Sequence, residues 1–185
     1  MNINDSGWQL ITDQTFSDGV YSIEYALQDE AGDQTSVFET LRVDTLPPAY
    51  TITVPTASGN NGWHRTQPTI QISGTDTGSG LQAAEISLDS GASWIPTAAT
   101  LSDGTYDVTF RVTDVAGNQS QESRTIRVDT TSPIISESIT GTYGSGGWYS
   151  SEVTVDTVTS DAGSGLIGEE MRVDGGAWTV IGSVA

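Results

Sequence analysis

Residues 103–118, DGTYDVTFRVTDVAGN, decide the fold. Tyr106, Val108, Phe110 and Val112 share one parity, and Asp107, Thr109 and Arg111 share the other. A period of two over this length marks a β-strand with one buried face and one wet face. Asp103-Gly104 before it and Asp114-Val-Ala-Gly117-Asn118 after it carry turn chemistry. The same unit stands 85 positions upstream, where Asp18-Gly19 precedes Tyr21, Ile23, Tyr25 and Leu27, and Asp29-Glu-Ala-Gly32-Asp33 follows.

Three further signatures keep that spacing. Val43-Asp44-Thr45-Leu46-Pro47-Pro48 returns as Val128-Asp129-Thr130-Thr131-Ser132-Pro133. Asn61-Gly62-Trp63-His64 returns as Gly146-Gly147-Trp148-Tyr149, and Asp76-Thr-Gly78-Ser79-Gly80-Leu81 as Asp161-Ala-Gly163-Ser164-Gly165-Leu166. A fixed period shared by separate signatures is the mark of tandem domains. Met1 to Trp8 also aligns without gaps on Met171 to Trp178, so the sequence is expected to open and close in mid-domain. The expected map is the C-terminal part of one repeat at 1–44, a complete repeat at 45–129, and the N-terminal part of a third at 130–185.

Within the complete repeat the expected strands are 50–54, 69–75, 84–89, 105–113 and 124–129. Ile70, Ile72, Ile86, Leu88, Ile126 and Val128 point inward. Thr157 stands where Ile72 does, so the second strand of the third repeat is expected to pack less well. No stretch shows apolar spacing of three and four over a helical length. Short strands separated by Gly, Ser and Asp turns predict an all-β chain of antiparallel sandwiches. Tyr21 and Tyr106, each two residues after a turn glycine, are placed to bond back to the preceding loop as tyrosine corners.

Composition narrows the function. The 185 residues include 24 acidic and 6 basic side chains, a formal net charge of -18, and no cysteine. Nucleic acid and anionic lipid are disfavoured as partners because a polyanion would be repelled. A disulfide framework is excluded. All six basic residues are arginines, so a Lys–Asn isopeptide crosslink is excluded as well. No apolar run reaches membrane-spanning length.

The run GTYDVTFRVTDVAGN, then VDTTSP, GWYSSEVTV and SDAGSGL, resembles the bacterial immunoglobulin-like repeats of large surface and secreted proteins. The resemblance implies tandem immunoglobulin-like β-sandwiches outside the cell, at the surface or secreted, used as spacer, stalk or adhesive array. It further implies that some members bind calcium where consecutive domains meet. In that topology the linker and the loops after the second and the long strand share one end. Asp44, Asp76 and Asp114 would then meet there, with Asn118 as a neutral oxygen donor, an oxygen set suited to Ca2+. The equivalent residues of the third repeat are Asp129 and Asp161. The plainer alternative is that each aspartate caps its own turn. No linear EF-hand spacing is present.

The functional expectation is a rigid spacer of an extracellular bacterial adhesin, stalk or filament. Its partners are neighbouring immunoglobulin-like repeats of the same or adjacent chains, and a cell-surface glycan or protein receptor. Two alternatives stay open. One is a carbohydrate-binding accessory module of a secreted polysaccharide-degrading enzyme, using Trp8, Trp63, Trp94, Trp148 and Trp178. The other is a fibre subunit joined by complementary half-domains. Catalysis is not expected: the single histidine, His64, has a tyrosine as its counterpart, and no Gly-x-Ser-x-Gly elbow is present.

Overall fold

The computed structural model describes residues 2–3 and 13–182. Met1 and Trp8, used in the alignment above, lie outside the described residues. In chain order the strands begin with β1 (Asn2–Ile3), β2 (Gly19–Gln28), β3 (Gln34–Val43), β4 (Ala49–Thr53) and β5 (Trp63–His64). Next come β6 (Thr69–Thr75), β7 (Leu81–Ser87), β8 (Ile95–Pro96), β9 (Ala98–Thr100), β10 (Gly104–Asp114) and β11 (Gln119–Val128). The last four are β12 (Ile134–Thr140), β13 (Thr154–Ser160), β14 (Glu169–Met171) and β15 (Thr179–Gly182). Among the described residues the helical content is a single 3-10 turn at Asn60–Gly62. The chain is all-β, and its middle part is an immunoglobulin-like sandwich.

That middle part holds two sheets, β4-β6-β9 and β5-β11-β10-β7-β8. Flanking them are the sheet β1-β2-β3 and the pairs β12-β13 and β14-β15. The chain divides into two compact units, one of residues 1–53, 70–99 and 107–124, the other of residues 54–69, 100–106 and 125–185.

In the first unit the alternation of residues 106–112 does what its pattern requires. Val108, Phe110 and Val112 are completely buried, with Ile70, Ile72 and Ile86 against 0–3% exposure. Burial of these side chains is the main favourable term for so short a domain. The two sheets meet face to face at Gly74 of β6, where a Cβ would run into the Val112 side chain and crowd Leu81. A Ser90-Gly91 turn with positive φ at both residues joins β7 to β8. Asp89 locks that turn: its carboxylate accepts from the Ser93 N–H at 2.8 Å and from the Ser93 and Ser87 hydroxyls. Those hydroxyl and amide donors, Ser93 first, pull the Asp89 carboxyl down to about 2. On the outer face Arg111 bonds Glu85 at 2.8 Å and lies 3.6 Å over the Trp94 ring.

In the second unit Leu101, Ile126 and Val128 are buried. The parallel pairing of β5 with the end of β11 matches Trp63 to Arg127 and His64 to Val128. The Tyr106 hydroxyl bonds the Ser102 carbonyl at 3.2 Å, and in the first unit the Tyr21 hydroxyl bonds the Ser17 carbonyl at 3.0 Å, as the tyrosine-corner reading expects.

Two strand boundaries differ from expectation. β7 starts at Leu81 rather than 84 and stops before Leu88, which is half-buried. Leu81 pairs with Asp114 across a bulge at Thr113/Asp114, which carries the ladder three residues into what reads as loop. β11 starts at Gln119 rather than 124, because the Asp114 N–H bonds the Asn118 carbonyl at 3.1 Å and closes the turn tightly. The polar run Gln119 to Ser123 hides this stretch from a pattern that seeks apolar residues. β13 forms despite Thr157, and pairs with β12 in the register of β4 and β6 moved by 85: Tyr50↔Gly74 becomes Ile135↔Thr159.

Phe110→Ala should cost about 3–5 kcal/mol, the usual loss for truncating a buried aromatic. Tyr25→Ala, at the equivalent position but 37% exposed, should cost clearly less. Urea unfolding midpoints of the two variants measure the difference.

Candidate metal centre at the linker

The linker aspartate at position 44 is set by what surrounds it. One carboxylate oxygen accepts the Ser79 N–H at 2.7 Å, and the other accepts the Leu46 N–H at 3.3 Å. Ser79 belongs to the loop after β6, and that loop has no room for a side chain beneath it. A Cβ on Gly78 would stand 2.5 Å from the Asp44 carboxyl carbon. Glycine is therefore required by close approach, not by backbone angle. The loop is shaped by Asp76, whose carboxylate accepts the Gly78 N–H at 3.0 Å and the Gly80 N–H at 2.7 Å.

The loop after β10 joins the same cluster. The Val115 N–H bonds the Gly80 carbonyl at 2.9 Å, and the Ala116 N–H bonds the Ser79 hydroxyl at 3.0 Å. Asp114 is fully buried and accepts the N–H groups of Gly117 and Asn118 at 2.7 and 2.8 Å. Its second oxygen accepts the Asn118 side-chain amide at 2.8 Å. A buried carboxylate is tolerable when donors replace its water. The Asn118 amide also donates to the Asp44 carbonyl at 3.0 Å, so it turns its nitrogen to the cluster rather than the oxygen expected of a ligand.

Oxygens of Asp44, Asp76 and Asp114 lie within 4.8 Å of one another. None of the three is paired with an arginine among the described residues, where the ion pairs are Arg111–Glu85 and Arg124–Glu122. Three negative groups thus converge with only N–H and O–H donors to offset them. The two sequence readings are compatible here: each aspartate caps a turn, and the caps place three carboxylates together. An oxygen keeps a second lone pair after accepting one bond, so the set fits a hard divalent cation in donor type and charge.

The arrangement is repeated in the second unit. Asp129 accepts the Ser164 N–H at 2.7 Å and the Thr131 N–H at 3.1 Å. Asp161 accepts from Gly163 at 3.2 Å and Gly165 at 2.8 Å. A Cβ on Gly163 would overlap the Asp129 carboxylate. The Asp129 N–H is held by the His64 carbonyl at 2.9 Å. Between β2 and β3 Asp29 caps its own turn, accepting the N–H groups of Ala31 and Asp33.

One pair of residues escapes the sequence reading. Asp18 and Asp103 look there like ordinary turn formers. In the structure Asp18 accepts the Thr45 N–H and hydroxyl at 2.9 and 3.0 Å, and Asp103 accepts the same groups of Thr130 at 3.0 and 2.9 Å. The signal was present as Asp and Thr recurring together at the common spacing. Asp103 gains a third bond from the Thr131 hydroxyl, which Leu46 lacks.

Residues 51–130 match the family model of the bacterial Ig-like domain. This stretch is a bacterial Ig-like domain. Bacterial Ig-like domains are usually parts of extracellular or surface proteins and are typically structural. No curated protein matches the chain. Among the described residues no helix is long and apolar enough to cross a membrane. The tryptophans of this Ig-like domain, Trp63 and Trp94, are half-buried, and Arg111 covers one face of Trp94. Beyond it Trp148 is 78% exposed, and Trp178 is 57% exposed with Arg172 over its ring at 4.7 Å.

The hydroxyl and N–H of Ser79 lower the Asp44 carboxyl below its ordinary value, and those of Ser164 do the same for Asp129. Both carboxyls are more acidic folded than unfolded. Their stabilisation is therefore complete above the unfolded value of 3.8 and is lost as pH falls through the lower folded value. Thermal midpoints should hold between about pH 7 and 5 and drop below about pH 4. Gly78→Ala should destabilise by on the order of 1–3 kcal/mol through overpacking. Gly168→Ala, with open space around it, should be close to neutral in the same denaturation series.

Proposed function

We propose that this chain is a load-bearing spacer of an extracellular bacterial surface protein, built of consecutive Ig-like repeats with boundaries near Asp44 and Asp129. The observation that carries the reading is the lodged linker aspartate, present twice at one spacing with the same serine donor and the same glycine gap. A linker that merely connects two domains needs no such fixture. One that must transmit force or hold a direction does. Pro47-Pro48 adds stiffness at the first junction by fixing φ and pressing the preceding residue toward extended geometry.

The proposal extends to calcium. Asp44, Asp76 and Asp114 would hold the ion, with Asp129 and Asp161 as the counterpart in the following repeat. The ion would neutralise converging charge and tie the linker to two loops at once. Its role is mechanical, since a cation bound to the linker and the domain together removes bending freedom. The carbohydrate alternative gains less support, because one face of Trp94 is already taken by a guanidinium.

Thermal unfolding in calcium against a chelator tests the metal directly. A ligand that binds only the folded state raises the midpoint by mass action. A rise of about 4 °C or more is expected at millimolar calcium, and Asp76→Asn should abolish most of it. An unchanged midpoint would contradict calcium binding and leave the hydrogen-bonded clasp alone at the junction.

A further inference from the structure

The chain holds five asparagines, and one of them, Asn61, is followed by glycine. Asn61 is exposed and stands at φ 51° and ψ 30°, within the 3-10 turn Asn60–Gly62 that leads into β5. That is the left-handed region, which asparagine tolerates better than most residues with a side chain. Its side-chain amide makes no hydrogen bond among the described residues. Gly62 has φ 79°, and the space where its Cβ would stand is empty to 4 Å. A bond between the Asn61 Cγ and the Gly62 nitrogen closes a five-membered ring. The rotation this needs disturbs a short turn and no sheet ladder.

The other asparagine in a loop of the middle domain differs on each count. Asn118 is half-buried and followed by Gln119. Its amide donates to the Asp44 carbonyl at 3.0 Å and to the Asp114 carboxylate at 2.8 Å. Asn60 is followed by Asn61, whose side chain crowds the nitrogen that would have to attack.

We propose that Asn61-Gly62 is a site of self-modification that loosens the linker at Asp129 as the protein ages. The Gly62 nitrogen, on losing its proton, bonds to the Asn61 Cγ. The Cγ–Nδ2 bond breaks, and the amide nitrogen leaves as ammonia. Water then opens the succinimide at either carbonyl, giving aspartate or isoaspartate. Both products add a negative charge to a chain whose formal charge is already -18. The isoaspartyl form also carries the main chain through Cβ and lengthens it by a methylene. That insertion falls between Gly59 and Trp63, whose N–H and carbonyl bond at 2.9 Å. The next residue, His64, holds the Asp129 N–H on its carbonyl at 2.9 Å. Asn61 lines the same cleft as Asp129 and Asp161, so the new carboxylate also faces like charge.

Peptide mapping of the intact 185-residue chain, held folded at mildly alkaline pH, tests the site. Cleavage after Arg42 and Arg65 frees residues 43–65, in which Asn60 and Asn61 are the only side-chain amides. Cleavage after Arg111 and Arg124 frees residues 112–124, which hold Asn118. The first peptide should gain one mass unit at Asn61, with isoaspartate the major form, before any gain at Asn118. Asn61→Gln, whose longer side chain disfavours cyclisation, should keep the fold by circular dichroism and lose the gain. In the aged chain the Asp129 amide should exchange its hydrogen faster than in Asn61→Gln held the same way. The site would be overturned by a gain first at Asn60 or Asn118, or by one that persists in Asn61→Gln. A folded chain that stays unmodified while the freed peptide converts would overturn it too. Equal exchange at Asp129 would overturn the effect on the linker.

Discussion

The carboxylate of the linker aspartate, lodged against a glycine and bonded to the serine beside it, is the interaction on which the chain's organisation depends. Asp44 reaches Ser79 across 35 residues, and Asp129 reaches Ser164 across the same separation. Each bond joins the residue that follows a long strand, β3 or β11, to the loop after a later strand, β6 or β13. The glycine makes the approach sterically available, and the serine supplies both a backbone and a side-chain donor. Asp18 and Asp103 grip the following threonine from the other side. The linker is thereby held at consecutive residues by two different loops. A junction of this kind loses its conformational freedom at the cost of a few polar contacts rather than a hydrophobic interface.

Charge and core act in opposite senses here. The core of the middle domain is small, with Phe110, Ile70, Ile86, Leu101, Val108, Val112 and Val128 as its fully buried large side chains. The surface is strongly acidic, and that repulsion disfavours compactness. The acidic residues that matter structurally offset part of this cost by accepting N–H and O–H donors. Asp89, Asp114, Asp76 and Asp161 each close a turn, which turns an electrostatic burden into local order. The proposed cation would act where two of these groups, Asp76 and Asp114, come together with Asp44.

Much of the fold was legible from period-two alternation and the 85-residue spacing. β6 and β10 are found where the pattern puts them, and Ile70, Ile72, Ile86, Val108, Phe110, Val112, Ile126 and Val128 are inside. The convergence of Asp44, Asp76 and Asp114 was legible because the topology fixes which loops share an end. Other features were not. The first half of β11 is a polar run, and β5, β8 and β9 are too short to show any period. The role of Ser79, Gly78 and Asp18 depends on atoms brought from distant positions, and no local motif records that. Asn118 was expected to offer its oxygen to the cluster, but which end of its amide faces inward is decided by two acceptors, the Asp44 carbonyl and the Asp114 carboxylate.

A clasp made of hydrogen bonds to a single carboxylate leaves a direct signature in the amides it protects. Ser79 and Ser164 lie in short exposed loops, where amide hydrogens ordinarily exchange with solvent at nearly unprotected rates. If the linker aspartates are lodged as described, hydrogen exchange followed residue by residue should show both amides strongly protected. The protection at Ser79 should vanish in Asp44→Ala while that at Ser164 persists. Free exchange at both serines in the unaltered chain would contradict the account.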